Sequence, residues 1–571
     1  MQYPTLMPLG ETRLMCSTFL GLDKGLKIPA GAFSHMENLT SDFYPAMSPR
    51  KKRSLYANGI ALGLACADVL EPDLASTYHP AVTLCYPDAA SGRLVIGDTK
   101  TDLVIANTTH KQLVSMGAYL LVLPDKKYIN TLNLADYGKI EAQWSATADV
   151  VLTPCAVDGS DAGAEAVCVK LESPGIGKGF FVDDCVRLEH VSVAENLNGI
   201  VRIRKRGDDF VVIDGVLEAA VTQPWDAHRL PLTLERNMPD MDFVVECGNR
   251  LWGCRYGKDG STIINQIFCS RLGDFRNWQS YQGLSTDSWA ASLGSDGPFT
   301  GAATFQGHPL FFKENCLHKV HVSPTGAHQI VDTPCRGVQM HCGKSLAVVD
   351  ETLYYKSAGG VMAYDGAFPR QVGEPLGDYR FGGSKSPGQT MPGGQYTCAV
   401  GGAAGSKYYL NLSDPQGVWQ LLVYDTEKEL WHREDSVKLN HMCAMGTELY
   451  GADTAGRILK LTGGGEENFE TTVPWQAVTG DLELDDPDQK YVSGLVFRMS
   501  MEPGSHVDVA LQYDHSGIWE PVCSLRGSRL GSFPVVVRPR RCDHLQLKLS
   551  GQGEMKLYSI TKTVAKGSER T

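Results

Sequence analysis

The chain has 571 residues and carries 53 Lys and Arg against 65 Asp and Glu, a formal charge of −12. At roughly 100–200 residues per domain that length suggests three or four domains, and 43% hydrophobic with 21% charged residues excludes a disordered chain. No apolar run approaches the ~18–20 residues of a membrane span, so a soluble protein is expected, and the acidic balance excludes a general nucleic-acid coat while leaving room for a local basic surface.

The N-terminal residues Met1 to Leu6 lack the basic and apolar regions of a secretory signal. The first charged feature is Arg50-Lys51-Lys52-Arg53, which follows two prolines in a segment expected to be extended. It reads either as a solvated loop or as an interface or DNA contact. The clearest helical candidate is the short stretch from Thr109 to Ser115. Elsewhere period-two alternation bounded by Gly, Asp, Asn or Pro dominates, and 60 glycines supply the tight turns. The fold class expected is all-β.

One pattern repeats at intervals of about 40–60 residues: a small turn, an apolar-aromatic strand, a second turn, another short strand. Gly248 to Gly253, Gly307 to Phe312, Val349 to Tyr355, Gly405 to Leu410 and Gly446 to Gly451 are copies; upstream, Met116 to Val122 has the same form and Gly92 to Ile96 has it more weakly. That period suits β-propeller blades, four-stranded sheets that must stack on one another. Trp252, Tyr354, Tyr409 and Tyr450 fall at equivalent positions and read as core between blades. The pattern breaks over about 137–231, which reads as an inserted small β-barrel-like domain. Longer alternating strands after Gly463-Gly464-Gly465-Glu466-Glu467 suggest a C-terminal β-sandwich-like domain. The expected division is therefore 1–136 (N-terminal arm and first blades), 137–231 (insertion), 232–465 (remaining blades) and 466–571.

Candidate chemistry is sparse. The sixteen cysteines include no CxxC, the closest pairs being Cys247 with Cys254 and Cys335 with Cys342, so buried reduced thiols are expected. Gly337 to Ser345 superficially suggests a phosphate loop, but has five residues between its glycines and is followed by a strand pattern. His318, His321, Cys335, His341 and Cys342 are near one another in sequence, yet His318 and His321 would face opposite sides of a strand. Asp183-Asp184 and Asp208-Asp209 read as turns. A second basic cluster, Arg202, Arg204, Lys205 and Arg206, is the other candidate interface or DNA contact, with Arg202 and Arg204 on one strand face. No catalytic, cofactor-binding or metal residue is assigned, and no cofactor is expected.

Several segments resemble a family of tailed-phage and prophage structural proteins, of the packaged-DNA stabilisation or tail-nozzle type. They are the stretch 36–53, including Ser41-Asp42-Phe43-Tyr44-Pro45-Ala46 and the first basic cluster, Arg271 to Trp278, Ser285 to Trp289, Thr352 to Tyr355 with Met362 to Gly366, and Asp488 to Val492. The resemblance implies a non-enzymatic virion protein. It would form a ring, of six copies, at the head-tail junction or tail nozzle, with portal or adaptor proteins and tail-fibre or tail-tip proteins as neighbours and double-stranded DNA passing through. Localisation to the virion, after synthesis in a bacterial cytoplasm, follows from it. The alternatives left open are a tail fibre or receptor-binding protein and a propeller glycan hydrolase.

Overall fold

A computed structural model describes residues 10–25, 27–72, 78–107, 109–161, 166–377, 398–414, 416–464, 469–482 and 490–566. Met1 to Leu6, Gly465-Glu466-Glu467, Asp488 and Gln489 lie outside them. The protein is all-β: among the described residues the helical elements are short 3₁₀ turns such as Glu195–Leu197 and Gly343–Ser345. The chain divides into two compact units, residues 62–335 and residues 1–61 with 336–571.

In the 62–335 unit, four consecutive-strand antiparallel sheets recur. Their first strands are Ala65–Pro72, Gln112–Met116, Phe243–Glu246 and Gly301–Phe305. Consecutive sheets pack face to face. Leu94, Ile96 and Leu103 of the first meet Leu120, Val122 and Ile129 of the second. Leu121 and Tyr128, from the opposite face of the second, meet Val244 and Leu251 of the third. Trp252 and Ile267 then join Phe311 and Val320 of the fourth. Burial on both faces explains why Tyr119–Leu123 reads as an unbroken apolar run instead of an alternating one.

The helix expected over Thr109 to Ser115 is not formed. Gln112–Met116 is a strand paired with Tyr119–Leu123, because Gly117 takes a left-handed turn (φ 57°) that reverses the chain and lets Val114 and Met116 face the core.

The chain segment between the second and third of these sheets, residues 142–236, builds a larger sheet of eight antiparallel strands with a core of its own. Its order is Ala142–Ser145, Thr233–Arg236, Cys185–Glu189, Gly199–Arg206, Phe210–Asp214, Cys168–Glu172, Val150–Cys155, Val221–Gln223. Val150, Leu152, Val169, Leu171, Val186, Leu188, Ile203, Val211, Ile213 and Leu234, drawn from most of its strands, share one core. The Arg271 to Trp278 segment docks on this sheet: Asn277 is fully buried and its side-chain oxygen accepts the Cys185 N–H at 2.8 Å.

The other unit contains sheets beginning at Ala347–Val349, Cys398–Ala404 and Leu439–Met445. The last has three strands from its own stretch, and its fourth is the distant Ser54–Asn58, paired with Arg457–Lys460. The closing strand draws Arg50 and Arg53 into the interior beside it. Two further sheets use C-terminal strands: Lys490–Met501 pairs with Met555–Lys566 and Gly531–Val536, and Leu545–Gln552 lies between Pro474–Thr479 and His506–Tyr513. Trp252, Tyr354, Tyr409 and Tyr450 are all buried, each in the second strand of its sheet.

Candidate ligand-binding cleft

The two basic clusters have different surroundings. Arg50 and Arg53 are buried at 7% and 2% exposure. Arg50 grips both oxygens of Glu470 at 2.6 and 2.8 Å, and Arg53 reaches Asp435 at 2.6 Å and Glu434 at 2.7 Å. Burial by itself lowers the Arg53 guanidinium, but Asp435 and Glu434 outweigh it and raise its pKa. These two residues clasp one unit internally and offer nothing to an outside partner; Lys51 and Lys52 between them are exposed.

On the eight-stranded sheet, Arg202 bonds Asp183 at 2.9 Å through Nε, and Arg204 bonds Asp214 at 2.6 Å. Lys205 donates to the Asp158 carbonyl at 2.8 Å, while Arg206 lies 5.8 Å from the centre of the Phe181 ring. Asp184 is not a solvated turn residue: it is buried against Arg236, and burial pushes its carboxyl up despite that partner.

The other sequence candidates are structural. Gly343–Ser345 leads into the strand Ala347–Val349, and the buried Ser345 hydroxyl accepts the Lys356 N–H at 3.0 Å, so no phosphate cradle forms. His318 is fully buried; its Nδ1 lies 2.5 Å from Asp332, and its Nε2 is 3.0 Å from Ser295 and 3.4 Å from Cys316. This chain ties the loop at Ser295 to the sheet. His321 is exposed on the opposite side of the strand. All sixteen cysteines are thiols, nine of them buried and seven partly exposed.

The residues that make a cavity were not singled out by the sequence. A cleft of about 790 Å³ opens at one end of the eight-stranded sheet, within the 300–1,000 Å³ range typical of small-molecule sites. Its floor is the top of the core, Ala146, Val150, Val191 and Leu232. One wall is the loop from His190 to Asn198. His190 takes a left-handed conformation (φ 66°), and the Asn198 side chain accepts from Val191 N–H at 2.9 Å and donates to its carbonyl at 3.2 Å. Gln223, itself buried, accepts the Ser192 N–H at 2.9 Å and donates to the His190 carbonyl at 2.8 Å. Two side-chain amides thus satisfy backbone groups that a free loop would leave to water.

The opposite wall is the segment from Pro224 to Pro231. The Trp225 N–H is held by Asp149 at 2.8 Å, and the residue, 48% exposed, lines the cleft. Asp226 accepts the His228 N–H at 2.9 Å, and Arg229 Nε is 3.6 Å from its carboxylate. Glu195, His190 and the largely exposed Leu230 complete the rim. The arrangement offers one flat aromatic surface, an apolar floor and a ring of donors and acceptors of both charges. Its only sequence signal was a tryptophan between two prolines, outside any strand period.

No family model and no curated protein matches the chain. Among solved structures it is similar to an exo-β-1,3-galactanase from Phanerochaete chrysosporium (8% identity, TM-score 0.21, covering 56% of this chain and 94% of that one). It is also similar to a Trypanosoma rangeli sialidase (8%, 0.22, 90% and 95%) and to PorZ, a bacterial surface component of the type-IX secretion system of Porphyromonas gingivalis (10%, 0.25, 88% and 82%). Scores this low carry no argument about activity. The virion-ring function expected from the sequence is corrected: the similar structures named are a galactanase, a sialidase and a secretion-system surface component, and none of these three is a phage protein.

Proposed function

We propose that this protein is a non-enzymatic binding protein whose eight-stranded sheet, curled as a small barrel, takes a saccharide in the Trp225 cleft. Within each unit the four-stranded sheets serve as propeller-type blades, and the C-terminal sheets form a sandwich-like domain; both give rigid support. The observation that carries the reading is the half-exposed Trp225 over an apolar floor, ringed by Arg229, Glu195, His190 and Asn198. A sugar ring presents one C–H face to stack on an aromatic surface and an edge of hydroxyls for polar groups, and this cleft offers both.

The test is calorimetric titration of the full chain with a panel of neutral and acidic oligosaccharides, alongside Trp225→Ala. Binding by the intact protein that weakens at least tenfold in the variant supports the reading. No binding by any saccharide, equal binding by the variant, or cleavage of the bound saccharide overturns it.

A further inference from the structure

In the unit formed by residues 1–61 and 336–571, three metal-ligating side chains from three separate segments converge at the edge of the C-terminal sheet. We propose that Asp481, His515 and His544 form a site for one divalent transition-metal ion, zinc being the first to test.

The convergence is set by the backbone. Leu545 pairs in register with Tyr513 on one side and bridges Leu482 on the other, with the Leu482 N–H donating to the Leu545 carbonyl at 2.9 Å. The residues just outside these pairings are therefore brought together. After Tyr513 the chain takes two consecutive left-handed residues, Asp514 (φ 48°) and His515 (φ 49°). This costly conformation for non-glycine residues turns the His515 side chain back toward Asp481. The Asp514 carboxylate accepts the N–H groups of Asp543 and His544 at 2.8 and 3.3 Å, locking the turn to the segment that carries the second histidine.

The side chains are placed for ligation. His515 Nε2 is 2.8 Å from an Asp481 carboxylate oxygen, and the two imidazole rings have centroids 4.3 Å apart. One ligand atom from each of the three residues lies within 4.8 Å of the other two. His544 supplies the independent observation. Its Nε2 is buried and has no hydrogen-bond partner, while its Nδ1 faces the Asp543 carboxylate at 3.6 Å. A buried ring nitrogen without a partner is costly, and a metal-bound histidine commonly directs its other nitrogen to a carboxylate.

Two imidazoles and one carboxylate suit zinc, whose bonds of about 2.0–2.2 Å require tetrahedral donors roughly 3.3–3.5 Å apart. Reaching that spacing needs the 2.8 Å His515–Asp481 pair to open by roughly half an ångström and separations of up to 4.8 Å to close by about one, through rotation of side chains that are 39% (Asp481) and 57% (His515) exposed. Asp481 and His515 also line a cleft of about 610 Å³, which leaves a fourth position for water or an exogenous ligand. An ion there would join three segments separated by 34 and 29 residues into one rigid corner.

The test is to strip the full chain with chelator and titrate Zn²⁺ by calorimetry, then Co²⁺ by absorption, on the intact protein and on His515→Ala, His544→Ala and Asp481→Asn. The sixteen cysteine thiols also attract these ions, so Co²⁺ separates the sites: nitrogen and oxygen ligands give visible d–d bands without the near-ultraviolet charge transfer of a thiolate. One equivalent bound without that thiolate signal, and weakened at least tenfold in both histidine variants, is the expected result. Asp543→Asn should weaken it less, as expected for a residue that orients His544 without touching the ion. No binding by the intact chain, binding unchanged in the histidine variants, or a thiolate-dominated spectrum overturns the proposal. Thermal unfolding without metal checks the fold, and the exposed position of His515 makes its variant the decisive one.

Discussion

Residues 50–53 and 202–206 look alike as sequence, since each is a short run of Arg and Lys beside strand-forming residues, but they lie in very different dielectric surroundings. Arg50 and Arg53 are within a few per cent of complete burial and face Glu434, Asp435 and Glu470. Arg204 and its partner Asp214 are each about one-third exposed (32% and 35%). The difference comes from the partner strand. Residues 50–53 lead into Ser54–Asn58, which closes a sheet whose other strands lie some four hundred residues away, whereas residues 202–206 end a strand at the surface of a sheet built from its own neighbourhood. A charge run therefore says little about solvation until the strand beside it has found its place.

The most severe way to break this comparison is Arg53→Ala, which leaves Glu434 and Asp435 buried without their main cation. A cost of about 3–5 kcal/mol is expected, read as a lower urea midpoint of the full chain, and a loss below 1 kcal/mol would remove the distinction between the clusters. Acid sharpens it next. Burial pushes His432, two residues before Glu434, down to about 3; unfolding returns it to an ordinary value near 6.5. The unfolded chain then binds the extra proton, so stability falls as pH drops from about 6.5 toward 3. Burial would raise Asp435 and Glu470, but Arg53 and Arg50 hold both below their usual range. Their contribution is present above the unfolded carboxylate range, near pH 4, and is lost as pH falls through the depressed values. Urea midpoints followed from about pH 7 to about 2.5 should decline below about 6.5 and more steeply below about 4, and His432→Gln should flatten the first part.

Arg204→Ala should cost no more than about 0.2–1 kcal/mol, because its ion pair is screened by solvent. Lys51→Ala and Lys52→Ala should fall within about 0.5 kcal/mol of wild type, as surface substitutions do. Were either lysine variant as damaging as Arg53→Ala, exposure would not be what separates these residues.

The all-β class, the repeating turn-aromatic-strand pattern and the burial of Trp252, Tyr354, Tyr409 and Tyr450 were legible in the sequence. Alternation, glycine turns and aromatic strands are local properties that follow from side-chain geometry on a pleated strand. The short stretch at 109–115 misled because seven residues contain too few periods to separate helix from strand, and Gly117 beyond it decided the outcome by forming a hairpin. Nothing local marks His544 as the partner of Asp481 and His515, or Gln223 as the brace of the loop that faces Trp225. Those contacts exist because Leu545 pairs with both Tyr513 and Leu482, and because Val221–Gln223 lies beside Val150–Cys155 at the end of its sheet. The sequence by itself determined which segments become strands. Strand pairing over long separations determined which polar groups are buried together, because the favourable contacts of a pairing appear only after the chain between the partners has closed.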